Sequence, residues 1–423
     1  MKKTKQKYFL NYSPIIYNNF FNLDHHIHTW YIHQHIMAGS SSKTPPFLKR
    51  KTKSTDSVSA KAKKRLLFTS SAEPDIEDYG HFFASKKKKK RVADTLLEQY
   101  RSKRGWFVTD VSKTEWCQKQ MEFSLLYDDQ EEGRAGTRKN NNNEAMKAGI
   151  DRHVELRNEV LKPVRVKVKS REDHMALKLI NFINGVNQLL CEGLTRELPI
   201  VSFAFEQGIW MVGTIDEVRM HSTDRKPILV ETKTRISDTV PSESQKRNGR
   251  IQLMCYKYLW DSLVSNQFPS REFYHYFDLD PKRALCEDLK KASSNSGFSA
   301  ETLKEVVVCY QTACDMMVRS HDDELVLRYE SQRDKSLVLD EEKFAYNGKW
   351  LKREILNCLQ FWLGQREASY VSEEDQWKCG YCRFSSLCPA YTPDTTDDDD
   401  DDDDDDESTS SSDDGSTYYH YYI

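Results

Sequence analysis

The segment ILVETKTR, residues 228–235, ends an apolar run by presenting a carboxylate and an amine two residues apart. Side chains at i and i+2 of a strand point to the same face, so Glu231 and Lys233 should project together. Asp216 closes the preceding apolar segment VGTIDEV and can reach them from a neighbouring strand. Two converging carboxylates suit Mg²⁺, and a lysine beside them suits the charge that develops during phosphodiester hydrolysis. We interpret these residues as a metal-dependent hydrolytic site, with a surface ion pair as the alternative.

Predicted helices carry further polar side chains that could join this site. His153 follows Gly149 by four residues, and Gln252 and Tyr256 are also four residues apart. Residues at this spacing share one face of a helix. The alternatives are an ordinary helix histidine and ordinary surface or core residues.

Three cysteines fall within ten residues of the segment WKCGYCRFSSLCP, with the spacing C-x2-C-x5-C. Cys379, Cys382 and Cys388 could wrap one metal centre, and Cys117 in TEWCQKQ is the best candidate for a fourth ligand. Four thiolates suit an iron–sulfur cluster or a tetrahedral zinc ion, and the spacing does not separate these two. We interpret the other six cysteines as buried core thiols.

Composition divides the chain into a folded core and two polar flanks. Of the 423 residues, 38% are hydrophobic and 30% are charged, which indicates a core diluted by disordered segments. We predict a disordered basic leader at 1–91, a folded domain at 92–392 with a polar insertion loop at 128–143, and an acidic disordered tail at 393–423.

The two flanks carry opposite charge. Residues 1–92 contain 19 Lys and Arg against 6 Asp and Glu, whereas residues 394–423 contain 14 acidic side chains and neither Lys nor Arg. The cluster SKKKKKRV at 85–92 is typical of a nuclear-import signal, with mitochondrial or chloroplast targeting as the alternative. No run approaches the ~20 apolar residues of a membrane helix, so we expect no membrane partner. The chain also has no Walker A pattern, which argues against ATP-driven unwinding.

Hydrophobic periodicity predicts a mixed α/β fold in the core. The period-two segments RELPIVSFAFEQG and IWMVGTIDEVRMH predict an antiparallel strand pair, and PILVETKTR predicts the next strand. Helices flank these strands, which gives the order helix, strand, strand, strand, helix. The helical segments are VADTLLEQYRSK, a helix capped by Ser112, 144–162, 172–193, 245–264, and stretches around 299–320 and 350–367.

The order of these motifs resembles the RecB-like branch of the PD-(D/E)xK nucleases. That branch carries a helical G-x-x-x-H element, an Asp on one strand, an (E/D)-x-K on the next strand and a Q-x-x-x-Y helix. The matching residues here are Gly149 and His153, Asp216, Glu231 and Lys233, and Gln252 and Tyr256.

The resemblance implies a restriction-endonuclease-like nuclease core and a role for each matching residue. It makes Asp216 and Glu231 ligands of Mg²⁺, Lys233 the catalytic lysine, and His153 an additional ligand or a site-orienting residue. The glutamine and tyrosine of the Q-x-x-x-Y helix would contact DNA or support the site.

The cysteine layout resembles the iron–sulfur nucleases of the exonuclease V family, in which a 4Fe–4S cluster joins the N- and C-terminal helical arms of the domain. The EWC context of Cys117 and the proline after Cys388 both match, over roughly residues 92–392. The resemblance implies a single-stranded DNA exonuclease with a role in DNA repair, with the four cysteines as cluster ligands. We expect a monomer, with a single-strand DNA-binding protein as a candidate second partner. The rival hypotheses are a non-catalytic DNA-binding scaffold and a zinc-stapled nuclease accessory subunit.

Overall fold

The computed structural model of the protein describes residues 65–70, 95–127, 138–204, 208–265 and 268–391. These residues all belong to the unit Ala62–Ile423. The predicted import signal at 85–92 and the predicted acidic tail at 393–423 lie outside the described residues, as does the leader apart from residues 65–70.

Most of the strands join a mixed sheet in which β5 is central. Along it the strands pair in the order β2, β5, β6, β7 and β8, and β4 pairs with β5 as well. Because β4 follows nearly the whole of β5, the strands β2 and β6 share the opposite edge of β5 and pair with different parts of it. The strands are β1 Arg65–Ser70, β2 Trp106–Phe107, β3 Leu161–Val166, β4 Leu194–Ala204, β5 Ile209–Met220, β6 Pro227–Arg235, β7 Leu325–Ser331 and β8 Val338–Phe344.

Helices pack against this sheet. The helices are α1 Leu96–Arg101, α2 Val108–Trp116, α3 Gln118–Tyr127, α4 Arg138–Val160, α5 Arg171–Glu192, α6 Glu243–Val264, α7 Ser270–Phe277, α8 Glu287–Asn295, α9 Leu303–Asp315 and α10 Gly348–Trp362. Two 3-10 helices follow, Glu373–Tyr381 and Ser385–Leu387. Among the described residues, none of the helices is both long enough and apolar enough to span a bilayer.

The predicted α/β order is confirmed: α5 is followed by β4, β5, β6 and then α6. Helix α5 begins after Ser170, whose hydroxyl accepts a hydrogen bond from the Asp173 amide at 3.1 Å, and ends at Gly193 with φ 79°. Both are standard helix boundaries, a side-chain N-cap and a left-handed glycine. Helix α6 buries Ile251, Leu259 and other apolar side chains against the sheet. This packing determines which side of the helix faces the strands.

The prediction of a disordered leader is wrong for residues 65–70, which form β1 and pair in parallel with β3. The buried Asn181 of α5 holds this strand, since its side chain accepts from the Phe68 amide at 3.0 Å and donates to the Phe68 carbonyl at 2.8 Å. The Arg65 guanidinium also donates to the Asn181 carbonyl at 3.2 Å. These long-range contacts, rather than local composition, order the strand.

Two local predictions before the sheet are also wrong. The polar loop predicted at 128–143 is shorter, because α4 already begins at Arg138. Extending an existing helix avoids the cost of nucleation, so weak helix formers can join its first turns. Ser112 lies inside α2 and caps no helix; α2 begins instead at Val108, where the Asp110 carboxylate accepts from the Phe107 amide at 3.0 Å.

Candidate active site

Asp216 lies where β5 and β6 stop pairing. The ladder between the two strands ends at the pair Glu217 and Val230. Beyond this pair, the Asp216 side chain bonds to β6 in place of the backbone: its Oδ2 accepts a hydrogen bond from the Thr232 amide at 2.9 Å. The strands therefore diverge at this position, and the aspartate side chain stands beside Glu231 at the opening between them.

Glu231 and Lys233 project together, as predicted from strand alternation. The Lys233 Nζ lies 2.8 Å from Glu231 Oε1, and it also donates to Gln252 Oε1 at 3.1 Å. Glu231 is 1% exposed, and its Oε2 is buried without a hydrogen-bond partner among the described residues. A buried carboxylate oxygen in that state is costly unless a cation or a donor approaches it.

Helix α4 brings His153 to this opening. The helix passes close to β6 at Gly149, where an added Cβ would lie 3.2 Å from Thr234 Oγ1. Arg152, adjacent to the histidine, ties α4 to β7 through a 2.7 Å ion pair with Glu330. The glycine therefore permits the approach of the helix, and the ion pair fixes its rotation so that His153 faces the strands.

Glu197 of β4 completes the site, and the sequence-based prediction did not include it. His153 Nδ1 lies 3.6 Å from Glu197 Oε1 and 3.8 Å from Asp216 Oδ1, and one ligand atom from each of the three lies within 4.8 Å of the others. Glu197 has φ 50°, a left-handed conformation that is unfavourable for a glutamate inside a strand. The flanking pairs, Arg196 with Glu217 and Leu198 with Ile215, place it opposite Asp216.

Negative charge is concentrated around the buried carboxylates of the site. Burial raises the pKa of both Asp216 and Glu231, and repulsion between neighbouring carboxylates raises it further. Burial opposes protonation of His153, but the charges of Asp216 and Glu197 outweigh it and raise the pKa of the histidine to about 10. Three carboxylates thus face two cationic side chains, so one further positive charge would be stabilised here.

The residues present fit a divalent cation. Carboxylate oxygens are the ligands that Mg²⁺ prefers, and Asp216, Glu231 and Glu197 supply them, with His153 beside them. The buried Glu231 Oε2 supplies an acceptor that the described protein atoms leave unused. We infer that Asp216 and Glu231 would hold the ion, with His153 and Glu197 as additional ligands or as the groups that orient Asp216.

Binding of a divalent ion should therefore strengthen as the pH rises. Because the pKa values of Asp216 and Glu231 are raised, protons compete with the ion below neutral pH and leave as the pH increases. We expect the Mn²⁺ affinity to rise from pH 6 to pH 8 and to flatten above the raised pKa values. Titration calorimetry in buffers of different ionisation enthalpy would show proton release on binding; affinity independent of pH would contradict the assignment.

Gln252 and Tyr256 occupy the buried face of α6. Gln252 is 4% exposed and accepts from Lys233, as described above. Tyr256 is fully buried against Gly213 of β5, where an added Cβ would come within 2.7 Å of its ring. Of the two roles predicted for this pair, these positions favour support of the site over contact with DNA.

The four predicted cluster cysteines lie around one small cavity. Cys117 occupies the break between α2 and α3, while Cys379, Cys382 and Cys388 lie along the two 3-10 helices near the C-terminal end of the described chain. The edge of Trp377 packs on Trp116 with ring centroids 5.7 Å apart, which holds the two arms together beside the sulfurs. The structure therefore brings together residues separated by more than 250 positions.

All ten cysteines are free thiols. Burial raises the pKa of Cys117 and Cys379, and raises that of Cys382 to about 11, with neighbouring cysteines adding to the effect. Four thiolates would therefore need a cationic centre between them. The interpretation of the remaining six cysteines as buried core thiols holds for Cys255, Cys314 and Cys358. It is wrong for Cys191, which is exposed, and Cys286 and Cys309 are only half-buried.

Comparison with known proteins gives a family for this chain. Residues 95–227, 220–303 and 286–389 match the family model described as "Exonuclease V - a 5' deoxyribonuclease". Exonuclease V of Danio rerio is 26% identical over 281 residues, which is 66% of this chain and 69% of that protein. A solved structure described as "Crystal structure of SSO0001" is 14% identical to this chain. The match covers 68% of this chain and 86% of that structure's chain, with a TM-score of only 0.29. Because the family matches span most of the described core, the chain belongs to the exonuclease V family.

Proposed function

We propose that this protein hydrolyses single-stranded DNA from a 5' end with the help of Mg²⁺, and that it serves DNA repair. Membership of a family of 5' deoxyribonucleases supports the reaction class. The observation that carries the mechanism is the convergence of Asp216, Glu231, Lys233, Glu197 and His153, with one carboxylate oxygen buried and unpartnered. The basic cluster at 85–92 supports a nuclear location.

In this proposal each side chain of the site has a separate role. Mg²⁺, when bound, polarises the phosphate and lowers the pKa of a water molecule. Lys233, fixed by Glu231 and Gln252, would orient that water and stabilise the negative charge that develops on the phosphate. The ion pair of Arg152 with Glu330 keeps α4 in place, so that His153 remains beside Asp216.

The rival hypothesis is a scaffold that binds DNA without cutting it. A scaffold gains nothing from a lysine held by two partners beside three buried or half-buried carboxylates, because such a cluster costs folding free energy. The arrangement is therefore more readily explained by catalysis. The same argument applies to the strained backbone at Glu197, since such conformations cluster at functional sites.

The decisive experiment compares DNA substrates with anaerobically purified full-length protein. Linear single-stranded DNA should be degraded in Mg²⁺ and left intact in EDTA, and linear duplex should be cut far more slowly. Circular single-stranded DNA should resist, because it offers no free end. A label at the 5' end should appear in short products earlier than a label at the 3' end. Binding of DNA without cleavage in Mg²⁺ would favour the scaffold instead.

Glu197 should matter for metal binding although it lies outside the E-x-K motif. We expect Glu197→Gln to weaken Mn²⁺ binding and to lower the cleavage rate by roughly 10- to 100-fold, the usual effect of losing a ligand partner. A suitable control is Glu192→Gln at the end of α5, which leaves the opening between the strands unchanged. Higher Mn²⁺ concentration should partly restore the Glu197→Gln rate. An unchanged rate and affinity would show that Glu197 only balances charge.

For the four cysteines we propose a 4Fe–4S cluster. A single zinc ion with bonds of ~2.3 Å would hold its four sulfurs roughly 3.8 Å apart. Among the described cysteines, no three sulfur atoms lie within 4.8 Å of one another, which favours a larger polynuclear centre. The colour and the iron content of protein purified without oxygen distinguish the two, because a zinc site is colourless.

A further inference from the structure

A second cluster of potential metal ligands lies at the closed end of the β5–β6 hairpin. His221 Nδ1 lies 2.9 Å from Asp224 Oδ1, and His321 Nε2 lies 3.4 Å from Asp224 Oδ2. One ligand atom from each of the three residues lies within 4.8 Å of the others. Asp224 thus bridges two imidazoles that are 100 positions apart in the sequence.

Backbone contacts hold both histidines in place independently of their side chains. The His221 amide donates to the Lys226 carbonyl at 2.9 Å, which closes the hairpin loop. The His321 amide donates to the Pro227 carbonyl at 2.8 Å, which ties the segment before β7 to the start of β6. The two rings then meet edge to face with their centroids 5.4 Å apart. These hydrogen bonds therefore set the backbone positions of both histidines, and Asp224 lies between them in the hairpin loop.

We propose that His221, Asp224 and His321 bind a divalent transition-metal ion, with Zn²⁺ as the expected occupant. Two imidazole nitrogens and one carboxylate oxygen form a typical three-ligand zinc set, whereas Mg²⁺ prefers oxygen ligands alone. Asp224 is exposed, so water can fill the fourth position. Both histidines are only half-buried, which leaves an entry path for the ion.

This site is distinct from the catalytic carboxylates. His221 follows the last residue of β5 and lies five positions after Asp216, which is roughly 16 Å of extended chain. The proposal therefore does not rest on nuclease activity. The same hairpin, however, supplies Asp216 and Glu231 at its open end, so an ion at the closed end would stabilise the pairing of the two strands that carry the catalytic residues.

Coordination changes three hydrogen bonds in the cluster, and two of them join His221 Nδ1 to Asp224 Oδ1 at 2.9 Å and to Thr223 Oγ1 at 3.1 Å. His321 Nδ1 accepts a long contact of 3.4 Å from the Asp323 amide. With Nε2 bound to an ion, the neutral imidazole carries its proton on Nδ1, so this contact is lost. Asp323 is exposed and its amide can turn to water. The loss is small beside the gain of metal–ligand bonds.

Zinc titration of the full-length, cluster-loaded protein in excess Mg²⁺ tests the proposal. The proteins compared are the wild type, His221→Gln, His321→Gln, Asp224→Asn and the control His275→Gln, whose histidine is exposed on α7. We expect each of the three cluster variants to bind one Zn²⁺ fewer per chain, or to bind it at least about tenfold more weakly, and the control to match the wild type. Circular dichroism and the melting temperature in zinc-free buffer would verify that all four variants fold.

Hydrogen exchange gives a second, local measurement. The amides of His221 and His321 should exchange more slowly when Zn²⁺ is added to the wild type, and should not respond in Asp224→Asn. Equal zinc stoichiometry and affinity in all the proteins would overturn the proposal, as would zinc protection confined to other parts of the chain. In either case the cluster is an aspartate bridging two histidines and nothing more.

Discussion

Lys233→Ala should lower the rate of single-stranded DNA cleavage by roughly 10³-fold, the scale expected when a preorganised group that stabilises transition-state charge is removed. Lys233 lies 2.8 Å from Glu231 and 3.1 Å from Gln252, so its amine is held at one position beside the carboxylates. Lys233 is the single lysine of β6. The measurement is single-turnover cleavage of a labelled oligonucleotide at saturating Mg²⁺.

A companion variant separates the lysine from the metal ligands. Glu231→Gln keeps the size of the side chain but removes its charge, so both Mn²⁺ binding and cleavage should be lost. Lys233→Ala should lose cleavage while Mn²⁺ binding persists, because the alanine leaves Asp216 and Glu231 in place. The control is Lys343→Ala, which removes an exposed lysine of β8 that pairs with Glu324.

The two variants together can disprove the roles assigned to Lys233 and Glu231. If Lys233→Ala cleaves within a few-fold of the wild type, the lysine does not act on the phosphate. If Glu231→Gln binds Mn²⁺ as the wild type does, the ion is held elsewhere, and the His153, Glu197 and Asp216 group is the next candidate. Circular dichroism and the melting temperature would verify that each variant is folded.

Cys382→Ser should remove the brown chromophore and lower the melting temperature by about 10 °C or more. Structural metal centres contribute many kcal/mol to folding, and about 1 kcal/mol corresponds to a few degrees in a domain of this size. In the proposed cluster, the stabilisation would come from joining the arm at α2 and α3 to the C-terminal 3-10 helices. Direct contacts such as Trp116 on Trp377 remain, so the variant should stay partly folded.

The effects of the cysteine variants should not add. Cys117→Ser combined with Cys382→Ser should be little worse than either change alone, because each already abolishes the shared centre. Cys191→Ser provides the control, since that thiol is exposed on α5 away from the cavity. A wild-type protein that is colourless and holds one zinc per chain would favour the zinc alternative, whereas a brown Cys382→Ser protein of unchanged stability would remove this cysteine from the ligand set.

Local spacing was enough to find most of the candidate active site. Strand alternation placed Glu231 beside Lys233, and helical spacing placed Gln252 and Tyr256 on one face of α6. In each case the relevant geometry is fixed within a few residues of the chain. The strand PILVETKTR has the same bounds in the structure as in the sequence-based prediction, because its apolar run begins at a proline and is followed by polar turn residues.

Residues whose role depends on partners far away in the sequence could not be predicted in this way. Glu197 reaches the site because β4 pairs with β5 in a particular register and because its backbone adopts φ 50°. Strand β7 joins β6 from nearly a hundred residues further along the chain, and neither β7 nor β8 was predicted. Strand β1 was assigned to a disordered leader, because the contacts that order it are with Asn181, more than a hundred positions away, and cannot be inferred from its own residues.

The sequence alone thus determined the α/β order and identified the residues that we propose for the chemistry: the acidic pair, the lysine and the four cysteines. It did so because period, spacing and residue type act over a few positions of the chain. The tertiary structure alone decided that Glu197 faces His153, that Gln252 holds Lys233, and that two remote histidines meet at Asp224. Those contacts depend on strand register and helix packing, which no single segment specifies.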